Sequence, residues 1–232
     1  MDALDSRTIL ITGAKGGLGT FVTEAFLDAG ARVVGSSRAI RDADFPHSRF
    51  TAVPADLTDA RAAQRLADGV VERFGGIYGL VHVMGGFAGG QPIPETGDAD
   101  WDLMMNLNLR SAFYMLRAVI PHMRQAGRGR IVAIGSRAAA EPQPNICAYN
   151  ASKAALVMLV RTAALENRDL GITANVILPG TIDTEANRKS DPGADRSRWV
   201  QPQRIARLAA FLISDAAAEI TGAAIPVYGR GA

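Results

Sequence analysis

Apolar residues along the chain fall into two alternating rhythms. Short, nearly continuous apolar runs recur as TILIT (8–12), ARVVGSS (31–37), FTAVPA (50–55), IYGLVHVMG (77–85), RIVAIGS (130–136), ITANVILPG (172–180) and AAIPVYG (223–229). Between them, apolar residues return every three or four positions, which predicts helices over 18–29, 59–74, 101–123, a stretch opening at Tyr149, and 203–214. The link 38–49 between the second and third strands is barely long enough for a crossover helix. Strands that are apolar throughout are buried on both faces, so helices must cover a parallel sheet from two sides. Right-handed crossovers then predict a Rossmann-type α/β fold, a doubly wound, seven-stranded parallel sheet forming one domain over residues 1–232.

In such sheets ligands bind beyond the carboxyl ends of the strands. Thr12-Gly13, Ser36-Ser37-Arg38, Asp56, Gly85-Gly86, Ser136 and Pro179-Gly180 stand at those ends and should converge along one rim. TGAKGGLG (12–19) joins the first strand to the first helix. Glycines let the backbone approach a pyrophosphate, and a helix N-terminus supplies free amides and a positive dipole. The residues about 20 positions further on discriminate cofactors: an acid accepts from the ribose 2′-hydroxyl of NAD, an arginine accommodates the 2′-phosphate of NADP. Here they are Ser36-Ser37-Arg38, so NADP(H) is preferred and NAD(H) is the alternative. Lys15 either adds charge nearby or points to solvent. Asp56 either accepts from the adenine amino group or belongs to the cap of the next helix.

Composition narrows the function without deciding it. Lys plus Arg number 25 against 23 Asp plus Glu, so no strong field favours nucleic acid or an anionic membrane. The short cluster Arg128-Gly129-Arg130 reads as a solvated turn. The single cysteine, Cys147, excludes an internal disulfide and a cysteine-based zinc cluster, and no metal site is expected. MDALDSRTILITG carries acids and no long apolar core, unlike a signal peptide, and no apolar run approaches the roughly 20 residues of a membrane helix. A soluble, cytoplasmic protein is the expectation. In CAYNASKAAL (147–156), Tyr149 and Lys153 stand one helical turn apart and share a face. A free phenol has a pKa near 10 and is a poor acid or base at neutral pH, and an adjacent ammonium lowers that value.

Taken together these motifs resemble the short-chain dehydrogenase/reductase family over nearly the whole chain. Gly13, Gly17 and Gly19 match its TGxxxGxG, Asn108 falls where the family has its catalytic asparagine, and Ser136 precedes Tyr149-x-x-x-Lys153 at family spacing. The resemblance implies that Tyr149 is the general acid/base, that Ser136 binds the reacting oxygen, that Lys153 binds the nicotinamide ribose, and that Asn108 links Lys153 to solvent through water. It also implies cofactor contacts from Gly13, Lys15, Gly17, Leu18, Gly19, Ser37, Arg38, Asp56, Leu57, Gly85, Tyr149, Lys153, Pro179, Gly180, Ile182 and Thr184, the last four in NVILPGTIDT (175–184). Homodimers or homotetramers through the helices at 101–123 and 149–166 are implied likewise.

The chain departs from the family at His82-Val83-Met84-Gly85, where members carry NNAG, and at its YGRGA end. His82 reads as a packed strand residue. GGFAGG (85–90) and 183–199 resemble the substrate-side loops of dihydropteridine reductase, a member of the family that lacks the serine and carries an acid after its second strand. The polar stretch 185–199 is either a mobile lid, with Asn187, Arg188 and Lys189 facing substrate or cofactor, or a surface loop without a role. The substrate is a small molecule: a ketone or 3-oxoacyl-type carbonyl, or alternatively a pterin-like heterocycle. A dinucleotide-sensing protein without turnover is the reading from another class.

Overall fold

The computed structural model describes residues 4–230; Gly231 and Ala232 of the YGRGA end lie outside it. Seven parallel strands, β1 (Thr8–Thr12), β2 (Arg32–Ser37), β3 (Phe50–Pro54), β4 (Gly79–His82), β5 (Gly129–Ile134), β6 (Ile172–Pro179) and β7 (Ala224–Val227), lie in the order β3-β2-β1-β4-β5-β6-β7. The order reverses between β1 and β4, the switch point where sheets of this kind bind ligands. β1, β4, β5 and β6 are buried at every residue, as their uninterrupted apolar runs require.

Helices α1 (Gly19–Asp28) and α7 (Pro202–Ile213) cover one face, where Val22, Phe26, Ile205 and Ala209 meet Ile9, Ile11 and Val33. Helices α2 (Ala60–Phe74), α4 (Ser111–Ala126) and α5 (Cys147–Asn167) cover the other, where Leu66, Met115 and Leu156 meet Leu10, Leu80 and Ala174. α2 is bounded as its sequence predicts: the Asp59 side chain accepts from Arg61 N at its start, and Gly75 ends it at φ +78°.

The link 38–49, barely long enough for a crossover helix, holds only a single 3₁₀ turn, Asp42–Asp44, and no helix. Ile40 and Phe45 are buried in its place, and Phe45 packs against Phe50 with ring centroids 4.8 Å apart. Three expectations are corrected. β4 stops at His82 rather than running to residue 85, because Met84 N turns to Thr12 Oγ1. Arg130 is no solvated turn residue. It lies 8% exposed in β5 and donates to the carbonyls of Gly129 and Gly171. The long helix predicted from residue 101 starts earlier, as α3 (Asp98–Met104), and passes through a π-helical stretch, Met105–Arg110, into α4.

Candidate active site

The glycine turn after β1 is the tightest part of the rim. Gly13 sits at φ +67°, and a Cβ there would lie 2.8 Å from Met84 N; a Cβ on Gly19 would lie 1.9 Å from Gly13 O. Neither position tolerates a side chain. α1 starts at this turn with no side-chain cap on Leu18, which leaves first-turn amides other than Thr20 N, bonded to Gly16 O, for an anion. Thr184 faces the turn from across the rim, its methyl carbon 3.3 Å from where a Cβ of Gly17 would stand. At the end of β2 the buried Ser36 Oγ has no hydrogen-bond partner among the described residues. An uncapped helix start, a cradle closed to side chains and an orphaned hydroxyl fit a dinucleotide.

Arg38 is exposed beyond β2. Asp56, beyond β3, accepts from Thr58 N at 3.0 Å and Thr58 Oγ1 at 2.7 Å, closing a turn, while Asp59 caps α2. These two hydrogen bonds, with the nearby Arg38 charge contributing less, hold the Asp56 carboxyl below its usual range. Leu57 behind it is fully buried. Lys15 leans out of the glycine turn to Asp44 Oδ1 at 2.7 Å. Asp44 is an acid that the sequence reading missed, because it is brought to the end of β2 only by the helix-free link.

The other half of the rim is built on α5. Lys153 is buried and donates to Ile134 O at 3.0 Å; burial alone pushes its pKa down to about 8. The Tyr149 hydroxyl faces Ser136. Burial raises its pKa, and the hydrogen bond from Ser136 offsets part of that rise. The expected lowering by Lys153 is absent from this balance, since the ammonium lies 5.9 Å from the Tyr149 ring centroid and is engaged by Ile134. Ser136 Oγ also accepts from Ala138 N at 3.2 Å and so caps the following turn. Gly85 lies between Lys153 and Asn108: a Cβ on it would be 2.8 Å from Asn108 Oδ1 and 3.2 Å from Lys153 Nζ.

Asn108 belongs to the π stretch and is fully buried. Its amide takes Gly86 N at 2.8 Å and donates to Gly86 O at 3.1 Å and Ser152 Oγ at 3.0 Å. Ser152 Oγ passes its proton to Tyr149 O at 2.9 Å, so Asn108 is tied to the backbone of the tyrosine's own turn. His82 braces the same stretch from below. Ser111 Oγ donates to Leu107 O at 2.7 Å, which leaves His82 Nε2–H to donate to Ser111 at 3.3 Å and Thr12 Oγ1–H to donate to His82 Nδ1 at 2.9 Å. The ring is neutral: burial, then the Lys153 charge, depress its pKa to about 3.

At the mouth, Phe87 stands edge-on to Tyr149 with centroids 5.0 Å apart, and it is 67% exposed. Its packing against Tyr149 could not be read from GGFAGG, although that loop resembles a substrate-side loop of the family. Pro179 ends β6, and after Gly180 the chain turns back so that Ile182 bridges Val200. The polar stretch that follows starts with a short helix, α6 (Glu185–Ser190), capped by Thr184. Asn187, Arg188 and Lys189 face its own structure: Asn187 donates to Ile182 O at 2.8 Å, Arg188 pairs with Asp183 at 2.6 Å and Lys189 with Glu185 at 2.6 Å. Cys147 Sγ meets Thr96 Oγ1 at 3.3 Å beside the mouth. No group of three or more metal-ligating side chains occurs among the described residues.

The sequence profile of the family described as short chain dehydrogenase matches residues 7–195. The chain belongs to that family. Among its relatives, D-threitol dehydrogenase of Mycolicibacterium smegmatis is 33% identical over 97% of this chain and 93% of that protein. D-beta-hydroxybutyrate dehydrogenase of Rhizobium meliloti is 31% identical over 97% of this chain and 98% of that one. The solved structure of ElxO with NADP bound superposes with a TM-score of 0.91 at 25% identity, covering 97% of this chain and 98% of that one. The family, the parallel sheet and an oxidoreductase activity agree with the sequence reading.

Proposed function

We propose that the protein is an NADP(H)-preferring oxidoreductase that interconverts a small ketone or 3-oxoacyl-type carbonyl and its alcohol, with Tyr149 as general acid/base. The observation that carries this reading is the pairing of the Tyr149 hydroxyl with Ser136 at the strand-end rim, with Lys153 buried behind. A bound nicotinamide supplies or accepts the hydride. Tyr149 protonates the substrate oxygen during reduction and deprotonates the alcohol in the reverse direction. Ser136 donates to the same oxygen and steadies the charge that develops there. Lys153 holds the ribose hydroxyls and, once the nicotinamide ring is positively charged, shares in pulling the phenol back from its burial-raised pKa. Asn108 fixes the backbone through which water reaches Lys153.

The NADP preference rests on exposed Arg38 at the end of β2 and on the NADP-bound structure of a relative. The named activities of the relatives, on D-threitol and D-beta-hydroxybutyrate, support an alcohol or carbonyl substrate. Phe87 at the mouth favours a second reading, a flat heterocycle such as a pterin stacked beside Tyr149. Exposed Phe113 on α4 and Met158 and Leu165 on α5 support pairing of these helices with a second copy. Purified protein is to be assayed for NADPH and NADH oxidation against ketones, β-ketoesters and quinonoid dihydropterin. Carbonyl turnover with NADPH is expected. Turnover of pterin alone would replace the first reading by the second, and binding of dinucleotide without any turnover would favour a sensor.

A further inference from the structure

The second strand runs into Ser37-Arg38 with no acid beside it in sequence, yet the fold returns one to the same place. The helix-free link doubles back through the Asp42–Asp44 turn before entering β3. Asp44 is fastened there twice: Oδ2 accepts from Arg41 N at 2.8 Å and Oδ1 from Lys15 Nζ at 2.7 Å. Its side chain is 16% exposed, that of Lys15 40%. Lys15 comes from the glycine turn and also reaches Ala39 O at 3.5 Å, so it lies across the residue next to Arg38. Asp42 anchors the turn in turn, accepting from Ala52 N at 2.7 Å. Arg38 is exposed and forms no ion pair among the described residues. The end of the rim that reads a dinucleotide's adenosine ribose thus holds Arg38, in no ion pair but near Asp56, and Lys15, matched by Asp44, with the Arg41 charge also acting on Asp44.

We propose that Asp44 is a specificity-determining residue, an internal counter-ion that occupies Lys15 and so limits the preference for a 2′-phosphorylated dinucleotide over the unphosphorylated one. The inference rests on the dinucleotide-binding reading given above. A 2′-phosphate needs cations, and to use Lys15 it must draw the ammonium from Asp44 or lie close to the Asp44 carboxylate, where like charges repel. A 2′-hydroxyl is neutral, makes no demand on Lys15 and meets no such repulsion. Asp44 therefore acts in the same sense as the acid that other nicotinamide-binding folds place directly after the second strand. It arrives from a turn rather than from the strand end. Arg38 then carries most of the attraction for the 2′-phosphate, and both cofactor forms bind.

The test is binding of NADP⁺, NAD⁺ and 2′,5′-ADP to the full chain by calorimetry, which needs no substrate and no turnover. Asp44→Asn keeps an acceptor for Arg41 N, so the turn retains its tether, and Lys15→Met removes the ammonium. Asp44→Asn is expected to tighten NADP⁺ and 2′,5′-ADP by about fivefold to tenfold, with NAD⁺ changed less than about twofold, and the gain shrinks as salt is raised. Lys15→Met in the same background removes that gain. An unchanged ratio of NADP⁺ to NAD⁺ affinity in folded Asp44→Asn, or a loss of NADP⁺ affinity, would overturn the proposal. Failure of both dinucleotides to bind the unaltered chain would sink the dinucleotide-binding reading instead.

Discussion

The two ends of the same central strands treat polar groups in opposite ways. At the amino ends of β4 and β5, Tyr78 donates to Asp215 Oδ1 at 2.5 Å, Arg7 pairs with Asp215 Oδ2 at 2.9 Å and stacks 4.2 Å from the Tyr78 centroid, and Arg130 reaches two carbonyls as well as Asp215. Arg130 Nε and, beside it at the start of β6, Thr173 Oγ1 are left over among the described residues. At the carboxyl ends, Lys153 is as buried as Arg130 but has one acceptor among the described residues, Ile134 O, for three N–H donors. Ser36 Oγ has none. The amino end pairs its charged groups with one another, whereas the carboxyl end holds a buried ammonium with donors in reserve, which is the distinction expected between a structural junction and a ligand site.

The largest expected effect tests whether the reserve is catalytic. Tyr149→Phe should lower turnover by about 10³-fold while dinucleotide affinity is kept, and Ser136→Ala by about 10²-fold, both read from steady-state kinetics beside calorimetric binding. Retained turnover in Tyr149→Phe would remove the central role given to the carboxyl rim.

Next in size is the energetic burden of Lys153. Its pKa falls from 10.5 to about 8 on folding, a change worth about 3 kcal/mol. The folded protein holds that proton less tightly than the unfolded chain, so this group adds stability as pH rises from about 8 to 10.5 and withholds it below. Lys153→Met should therefore unfold at a temperature several degrees higher near pH 7, lose activity, and show less gain in stability between those pH values. A lower unfolding temperature would show that the ammonium is fully compensated.

The smallest effect belongs to the amino end. Asp215→Asn weakens the contacts of Tyr78, Arg7 and Arg130 and should cost about 1–2 kcal/mol in a denaturant titration, with turnover per folded molecule unchanged. Hydrogen bonding from Tyr78, more than the arginine charges, holds the Asp215 carboxyl below its ordinary 3.8. The stability it supplies is present above that value and lost as pH falls through the lower folded one, so the variant should be less sensitive to acid there. Equal acid sensitivity would show that solvent screens the cluster, whose carboxylate is 57% exposed.

Most of the fold could be read because parallel strands write their burial as runs: all seven were visible, and β1 begins and ends where its run does. Positions set by local spacing, the Gly13–Gly19 turn and the Tyr149–Lys153 pair, were equally open to reading. What escaped depends on contacts between distant segments. Asp44 meets Lys15 across 29 residues, His82 meets Thr12 across 70, and Arg130 meets Asp215 across 85. Phe87 escaped because an aromatic residue in a glycine-rich loop has no period to betray which way it packs.

The π stretch Met105–Arg110 has a consequence for the evolution of the pocket. A π turn holds about one residue more than an α turn, commonly arising as an insertion within an older helix. Asn108 lies inside that stretch, locked to Gly86 and Ser152, whereas Trp101 and Leu103 stand exposed on α3 just before it. Removing one residue would restore α pairing and turn α3 by about 100° relative to α4. The stretch works as a register joint: its length sets the angle of α3 against α4, while its hydrogen bonds to Gly86 and Ser152 hold the asparagine within it.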